Sequence, residues 1–566
     1  MKELIIVRPD KCVGCGSCVR SCPSPEANVS RVISDGRIIT TVNGDKCIGC
    51  GECIRACPHR ARDYLDDAEE CMNRSAKGEK MVIVVSPVIM TALPTQWKGI
   101  LDWFKNNGSY IYDISYGTDI CLWAHSRLMG TERVGNIITQ SCGAVVRYAE
   151  IYQPKMLKNL VPIHSPISCQ VTYVKNYLRR TNPVAVLSPC IAMKSECIET
   201  GLIDYNVTFK KILAYFDRNG IRIPQNDPDD YYYEYHDVQG MGTDIYPTVN
   251  GFGAALTEHV SENERVYCDG VPKVFDQLNI YANTAEAKHP NIFDAYACES
   301  GCSLGPGIVS RQTSFDIAAM KKAISASPEK TSRVSGYRGG YQKLFKTFDN
   351  ELQLSDFTRT YKPVPPTPVP MMNQLNEAFE KMGKETDNDK NINCGLCGFN
   401  TCREMAAAIA RGQNVPENCI FGRKSGGGDP AKEFELNRKN KQLSDIADES
   451  LFLTEKINEN ISLINEKITA LGDQTSLSGE KASNVKKLLG NVVKFCEDSP
   501  IMGPDEIGKL VAVLNNTIKA FGPMDDSISA AFENSDAAKT TIDDISQLMG
   551  NLVATLKKSE ASRVSD

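Results

Sequence analysis

The sequence has no apolar run as long as the roughly 18 residues that a membrane span needs. The longest, MVIVVSPVIMTAL at 81–93, is broken by Ser86 and Pro87. It has no strong charge of either sign. Its 64 Lys and Arg stand against 70 Asp and Glu, and a net charge of −6 offers no basic footprint for a nucleic-acid partner. The N-terminal MKELIIVRPDKC lacks the charged head, apolar stretch and small-residue cleavage site of a secretory leader. A cytoplasmic chain with neither membrane nor nucleic acid as partner is therefore expected. From about residue 431 Trp and Tyr are absent and one cysteine, Cys496, remains. That stretch carries no kinase, nucleotide-binding or DNA-binding motif, nor a clear ligand-sensing domain.

What the chain does have is cysteine, 22 in 566 residues. A reducing compartment does not maintain disulfides, so metal or cluster ligation is the first reading. The length suggests three to five domains rather than one core. Near the N-terminus lie CVGCGSCVRSCP (Cys12, Cys15, Cys18, Cys22) and CIGCGECIRACP (Cys47, Cys50, Cys53, Cys57). Each is C-x2-C-x2-C-x3-C-P, the spacing of a bacterial two-cluster ferredoxin, in which the fourth cysteine ligates the other cluster. The sets are then Cys12, Cys15, Cys18 with Cys57, and Cys47, Cys50, Cys53 with Cys22. A further group, Cys394, Cys397, Cys402 and Cys419, is spaced C-x2-C-x4-C-x16-C. It suits one 4Fe-4S cluster, with a closed four-thiolate zinc site as the alternative.

Ten cysteines remain, and a buried apolar role is the default for any one of them. Three segments stand apart: QSCGA (Cys142), SPCIAMKSE (Cys190) and ACESGCSLGPG (Cys298, Cys302). Cys142 and Cys190 follow the apolar runs GNIIT and PVAVL, which read as buried strands delivering side chains to a common crevice. Cys298 and Cys302 are four apart, as on one helical turn or in a tight loop. Gly301, Gly305 and Gly307 would allow close backbone approach to something bulky.

A two-cluster ferredoxin module followed by these three loops resembles the iron-only (FeFe) hydrogenases, whose loops read TSCCP, MPCxxKxxE and ExMxCxxGC. VIVVSPVIMTAL, IYDISYGTDI, HSPIS and GFGAAL resemble other family segments, so the likeness covers about 1–356. It implies an H-cluster, a 4Fe-4S cube joined to a diiron unit carrying CO, cyanide and an azadithiolate. Cys142, Cys190, Cys298 and Cys302 would ligate the cube, and Cys302 would also bridge to the diiron unit. The implied fold is multidomain: a ferredoxin-like two-cluster α+β domain (1–75), an α/β catalytic domain (78–356), a Pro-rich linker (357–370), an iron-sulfur module (371–424) and an all-helical tail (431–566). The linker, with YKPVPPTPVP at 361–370, is expected to hold the hydrogenase-like domain and the small module apart as a semi-rigid spacer.

The departures from the family pattern concern protons. The residue taken as the family's proton-carrying second cysteine is here Gly143, and the next is Ala144. Relay positions onward hold His125, Leu128 and Val161, while Glu196 is retained. The lysine expected to bond a cyanide ligand falls on Met193, with Lys194 one step later. Ser188 replaces a methionine, and Asp294 and Tyr296 stand where the family has Glu and Met. His125 with His164 forms a conceivable substitute relay against a packing role, and Cys169 is placed close to the expected diiron unit. A broken proton path costs a factor of about 100 to 10,000. The pattern is similar to the sensory subgroups of the family. The implied partners are hydrogen and protons, a redox partner such as ferredoxin or a signalling protein, and proteins that insert the diiron unit.

Three functions compete: a slow hydrogen or redox sensor, a ferredoxin-linked catalytic hydrogenase with another proton path, and an iron-sulfur scaffold without hydrogen chemistry. In the tail, Leu443, Ile446, Leu453, Ile457, Ile461, Ile464, Ile468 and Leu471 form an imperfect coiled-coil seam. It reads either as a dimerising, signal-passing element or as a bundle packed on its own chain.

Overall fold

The computed structural model describes residues 4–129, 136–241, 251–259, 265–309, 312–325 and 340–421, with the isolated positions 487 and 512. The chain divides into two units, 1–424 and 425–566. The coiled-coil reading of the tail lies outside the described residues. Among the described residues the strands are β1 (Ile5–Val7), β2 (Asn28–Val32), β3 (Ile38–Val42), β4 (Arg62–Tyr64), β5 (Val82–Val85), β6 (Tyr110–Asp113), β7 (Ile137–Ile138), β8 (Val184–Ser188), β9 (Tyr205–Thr208), β10 (Arg265–Asp269) and β11 (Ile292–Tyr296).

The first four form two antiparallel pairs, β1 with β4 and β2 with β3. Between the strands of each motif run the two cysteine loops, each closed by a one-turn helix (Ser17–Arg20 and Glu52–Arg55). The remaining strands build two parallel sheets, one in the order β6-β5-β8-β9 and one in the order β10-β11-β7. β5 (VIVV) and β8 (VAVLS) are buried at every residue. Such near-continuous apolar runs, rather than alternation, are what a parallel sheet covered on both faces requires. The helices Trp97–Asn106, Ser115–Met129 and Pro166–Asn176 supply that cover. The last is closed at its start by Ser165, whose side chain accepts from the Ser168 N–H, with Pro166 in the first turn.

The runs GNIIT and PVAVL are thus strand ends as expected, although β7 is only two residues long. Both sheets point the C-terminal ends of β7, β8 and β11 into one crevice, the usual place for a ligand in open parallel sheets.

The linker is extended, with no helix or strand from 359 to 371, and it is fastened along its length. It is laced to the rest of the chain: Lys46 Nζ donates to the Pro365 carbonyl at 3.2 Å, the Val364 N–H to the Glu150 carbonyl at 2.8 Å, and Thr367 Oγ1 to Glu26 at 3.0 Å. The module then packs on the ferredoxin-like domain, where Leu375, Phe379, Phe399 and Met405 share an apolar core with Cys18 and Val19. A spacer sequence sets stiffness and reach, whereas apolar burial decides where its end comes to rest. Gly398 makes the close contact possible. Its φ is +90°, and a Cβ there would lie 2.7 Å from Val19 Cγ1 and 3.0 Å from the Arg20 backbone nitrogen. Gly398→Ala is expected to cost about 1–3 kcal/mol of docking energy. Limited proteolysis should then cut the 359–371 segment several-fold faster than in the parent.

Candidate metal centre

Cys142 caps the N-terminus of helix Gly143–Tyr152. The Ala297 N–H donates to its Sγ at 3.4 Å, so the third loop braces the first. Cys190 follows β8 by two residues, its N–H donating to Ser188 Oγ at 3.2 Å. Cys298 follows β11 by two, and Cys302 sits in a run of turns rather than a helix. Ser300 and Gly301 take left-handed φ values of 56° and 67° there, and the Ser300 N–H is pinned on Asp269 at 2.8 Å. Gly305 and Gly307 do allow close approach, but to protein: a Cβ at either would lie 2.8 Å from the Pro189 carbonyl oxygen. The third loop is therefore seated on the second.

All four cysteines line one cavity. Burial pushes each thiol up, and their neighbours' charges push Cys190, Cys298 and Cys302 further, Cys190 to about 12. Such thiols resist ionisation together unless a cationic centre sits among them, and a coordinated thiol is deprotonated outright. Among the described residues, no three Cys, His, Asp or Glu side chains converge as they would on one metal ion. The thiols instead surround a space, which suits a multi-iron unit better than a single tetrahedral zinc. The residues present fit an iron-sulfur cube.

The other cysteines fall into matching groups. Cys12, Cys15, Cys18 and Cys57 line another cavity. Cys22 lies within electrostatic reach of Cys47, Cys50 and Cys53. Cys394, Cys397, Cys402 and Cys419 line a third cavity. The groups adjoin one another. Gly49 and Cys50 form part of the wall of the Cys142 cavity, and a Cβ at Gly51 would overlap Pro306 of the third loop at 2.6 Å. Cys18 of the first set neighbours Cys53 of the second. On its far side, Arg20 Nη1 donates to the Cys15 carbonyl at 2.9 Å and to Leu396 of the module at 3.4 Å.

Of the residues singled out for proton or ligand chemistry, Gly143, Ser188, Met193 and Tyr296 line the Cys142 cavity. Lys194 does not. Its ammonium is held by both oxygens of Asp67 at 2.6 Å, away from the cavity. The expectation that Lys194 serves the site is corrected by simple rotation: one residue further along a helix turns a side chain by about 100°. Glu196 also stands back, buried, accepting from Ser168 Oγ at 2.6 Å and paired with the buried Arg359 at 3.5 Å. His125, His164 and Cys169 are buried but form no part of the cavity wall. His125 bonds the Cys121 carbonyl at 2.7 Å and Gln140 Oε1 at 3.1 Å, and the adjacent Cys121 raises its pKa against the burial that lowers it. His164 is held below its ordinary value by burial.

Ser141 was not singled out in the sequence. It is buried in the wall of the cavity, directly before Cys142. A Cβ at Gly143, by contrast, would press on the Ala192 carbonyl at 3.2 Å. The side chain best placed to offer a proton beside Cys142 is thus the one before it. Its polar type at the end of an apolar strand was the available signal.

Residues 79–306 match the family described as the iron only hydrogenase large subunit, C-terminal domain; residues 4–58 match a 4Fe-4S dicluster domain, and residues 391–421 an Fe-S cluster family. Residues 79–306 are thus an iron-only hydrogenase large-subunit domain, preceded by a 4Fe-4S dicluster domain. Among solved structures, a variant of the FeFe-hydrogenase HydA1 from Chlamydomonas reinhardtii aligns at 15% identity with a TM-score of 0.41, covering 54% of this chain and 100% of its own. A HydA structure describing stepwise H-cluster assembly gives the same identity, coverage and score. No curated protein matches the chain.

Asp294, on β11 beneath Cys298, generates a prediction. Burial pushes its carboxyl up to about 6, opposed by the Thr139 hydroxyl at 2.8 Å and the Gly253 N–H at 3.1 Å. A raised folded-state pKa means that the unfolded chain holds fewer protons. Stability from this group is therefore full below the unfolded value near 4 and is lost as pH rises through about 6. Between pH 5 and 7 the loss is roughly 1.4 kcal/mol. Asp294→Asn should flatten that part of the profile, read as urea midpoints across the pH range.

Proposed function

We propose that this protein is a slow, reversible hydrogenase used as a hydrogen or redox sensor, with its accessory clusters in a line that carries electrons away from the Cys142 site. When bound, the H-cluster supplies heterolytic cleavage of hydrogen. The chain supplies the rest. Cys142, Cys190, Cys298 and Cys302, which line one cavity, would hold the cluster. Ser188, Met193 and Tyr296 shape the space beside it.

One observation carries the reading. Apart from the cysteines, Tyr296 is the sole ionisable residue among the described residues lining the cavity. Ser141 stands there with a hydroxyl, whose proton is held far more tightly than a thiol's at about 8.5. Efficient transfer needs a donor whose pKa lies near the working pH. A tightly enclosed site with poor proton exchange equilibrates with hydrogen and turns over slowly, which suits detection better than flux.

The electron line supports the same reading. The module's thiols share an apolar core with Cys18, Cys18 lies within electrostatic reach of Cys53, and Cys50 lines the Cys142 cavity. Four-cysteine groups near one another favour stepwise one-electron transfer towards the module. The natural acceptor is a small redox protein or a signalling partner.

The test is infrared spectroscopy of the matured protein under argon and then under hydrogen. Reversible shifts of CO and cyanide bands are expected, with turnover far below that of a fast hydrogenase. The absence of such bands in protein loaded with its cubes would favour the scaffold reading. Ser141→Cys supplies a thiol at the same wall and should raise hydrogen–deuterium exchange at least tenfold, since general acid–base groups typically contribute a factor of about 100 or more.

A further inference from the structure

Between the two N-terminal cluster sites lies a cation that neither the motif nor the family comparison assigns. Arg62 opens β4, opposite Val7 of β1, and only 5% of it is exposed. Its Nη2 donates to the Thr40 carbonyl at 3.0 Å. Its Nη1 is buried with no oxygen or nitrogen partner, and the guanidinium instead comes within hydrogen-bonding reach of the Cys53 thiol. The side chain lines the cavity of the Cys12 set and also faces Cys53 and Cys22 of the other set. Burying a guanidinium without an anion is costly, so something negative belongs beside it. The groups that face it are cluster cysteines: Cys18 on one side, Cys53, Cys22 and Cys47 on the other.

We propose that Arg62 is an electrostatic bridge between the two N-terminal clusters, a buried cation facing thiolate ligands of both that raises the reduction potential of each. The argument is one of charge. A cube with four thiolates is anionic and gains one further negative charge on reduction. A fixed cation in a dry site stabilises the reduced form more than the oxidised one. The affected step is a one-electron transfer: the neighbouring centre loses an electron, the cube gains it, and no proton is required. With both potentials raised, the pair becomes a sink that draws electrons from the Cys142 site and holds them near the module. Arg62 is thus a positioning residue for charge and touches no substrate.

The inference rests on the two N-terminal cubes alone and not on hydrogen cleavage, so it stands or falls separately from the proposed function. The experiment is a redox titration, followed by electron paramagnetic resonance, of the full-length protein with all clusters reconstituted. Arg62→Gln and Arg62→Met are compared with the parent and with Arg62→Lys. Removing the charge is expected to shift the reduction equilibrium of the N-terminal cubes at least tenfold towards the oxidised form, a fall of 59 mV or more for a one-electron couple. Arg62→Lys should recover most of that shift. The module's cluster should not move, and serves as the internal reference. Unchanged N-terminal midpoints in either neutral variant at full iron content would overturn the proposal. Loss of iron in both neutral variants, regained in Arg62→Lys with parental midpoints, would support a charge role; iron lost in all three would make Arg62 a structural anchor and overturn it.

Discussion

Four thiolates cannot share a dry cavity unless positive charge sits among them, and the α/β domain is arranged around that constraint. The cysteines come from three loops far apart in sequence, so nothing local holds them together. Parallel strands do. β7, β8 and β11 end at the same crevice, and each places a cysteine within a few residues of its last ladder bond. The loops then brace one another: Ala297 donates to the Cys142 sulfur, and the Gly307 N–H donates to the Pro189 carbonyl at 2.9 Å. Rigid strand ends with cross-braced loops hold ligands more tightly than free loops can.

The same principle extends outward. Each cysteine group forms part of the wall of the next or lies near it, so the proposed electron route would be a by-product of close packing. Small residues decide where the contacts fall. Gly51 lets the second ferredoxin loop reach Pro306, and Gly398 lets the module reach Val19. The polar residues around the cavity are arranged in the opposite way. The buried polar residues nearby, His125, Gln140, Glu196 and Arg359, are occupied with one another rather than with the cavity.

Much of this was legible in the sequence because ligand spacing is a local property. The repeated C-x2-C-x2-C-x3-C-P pattern specifies two loops and their exchange of ligands without reference to the rest of the fold. The apolar runs before Cys142 and Cys190 identified strand ends by composition alone. Direction was harder to read. Met193 and Lys194 are adjacent in sequence, yet one faces the cavity and the other pairs with Asp67, because helical phase depends on where the helix begins. Ser141 escaped notice beside a more conspicuous glycine. The docking of the module and the placement of Arg62 depend on contacts between distant segments, which no local pattern encodes.

The lacing of the linker has a kinetic consequence. A carrier joined to its donor by a dozen residues is present at a high effective concentration, so its encounter is intramolecular and independent of protein abundance. With Lys46, Glu150 and Glu26 fastening that segment along its length, little slack remains for the module to wander. A soluble acceptor would have to compete with a resident one. On the proposed electron route, the response of the chain would then be set by its internal geometry and would not depend on how many copies are present.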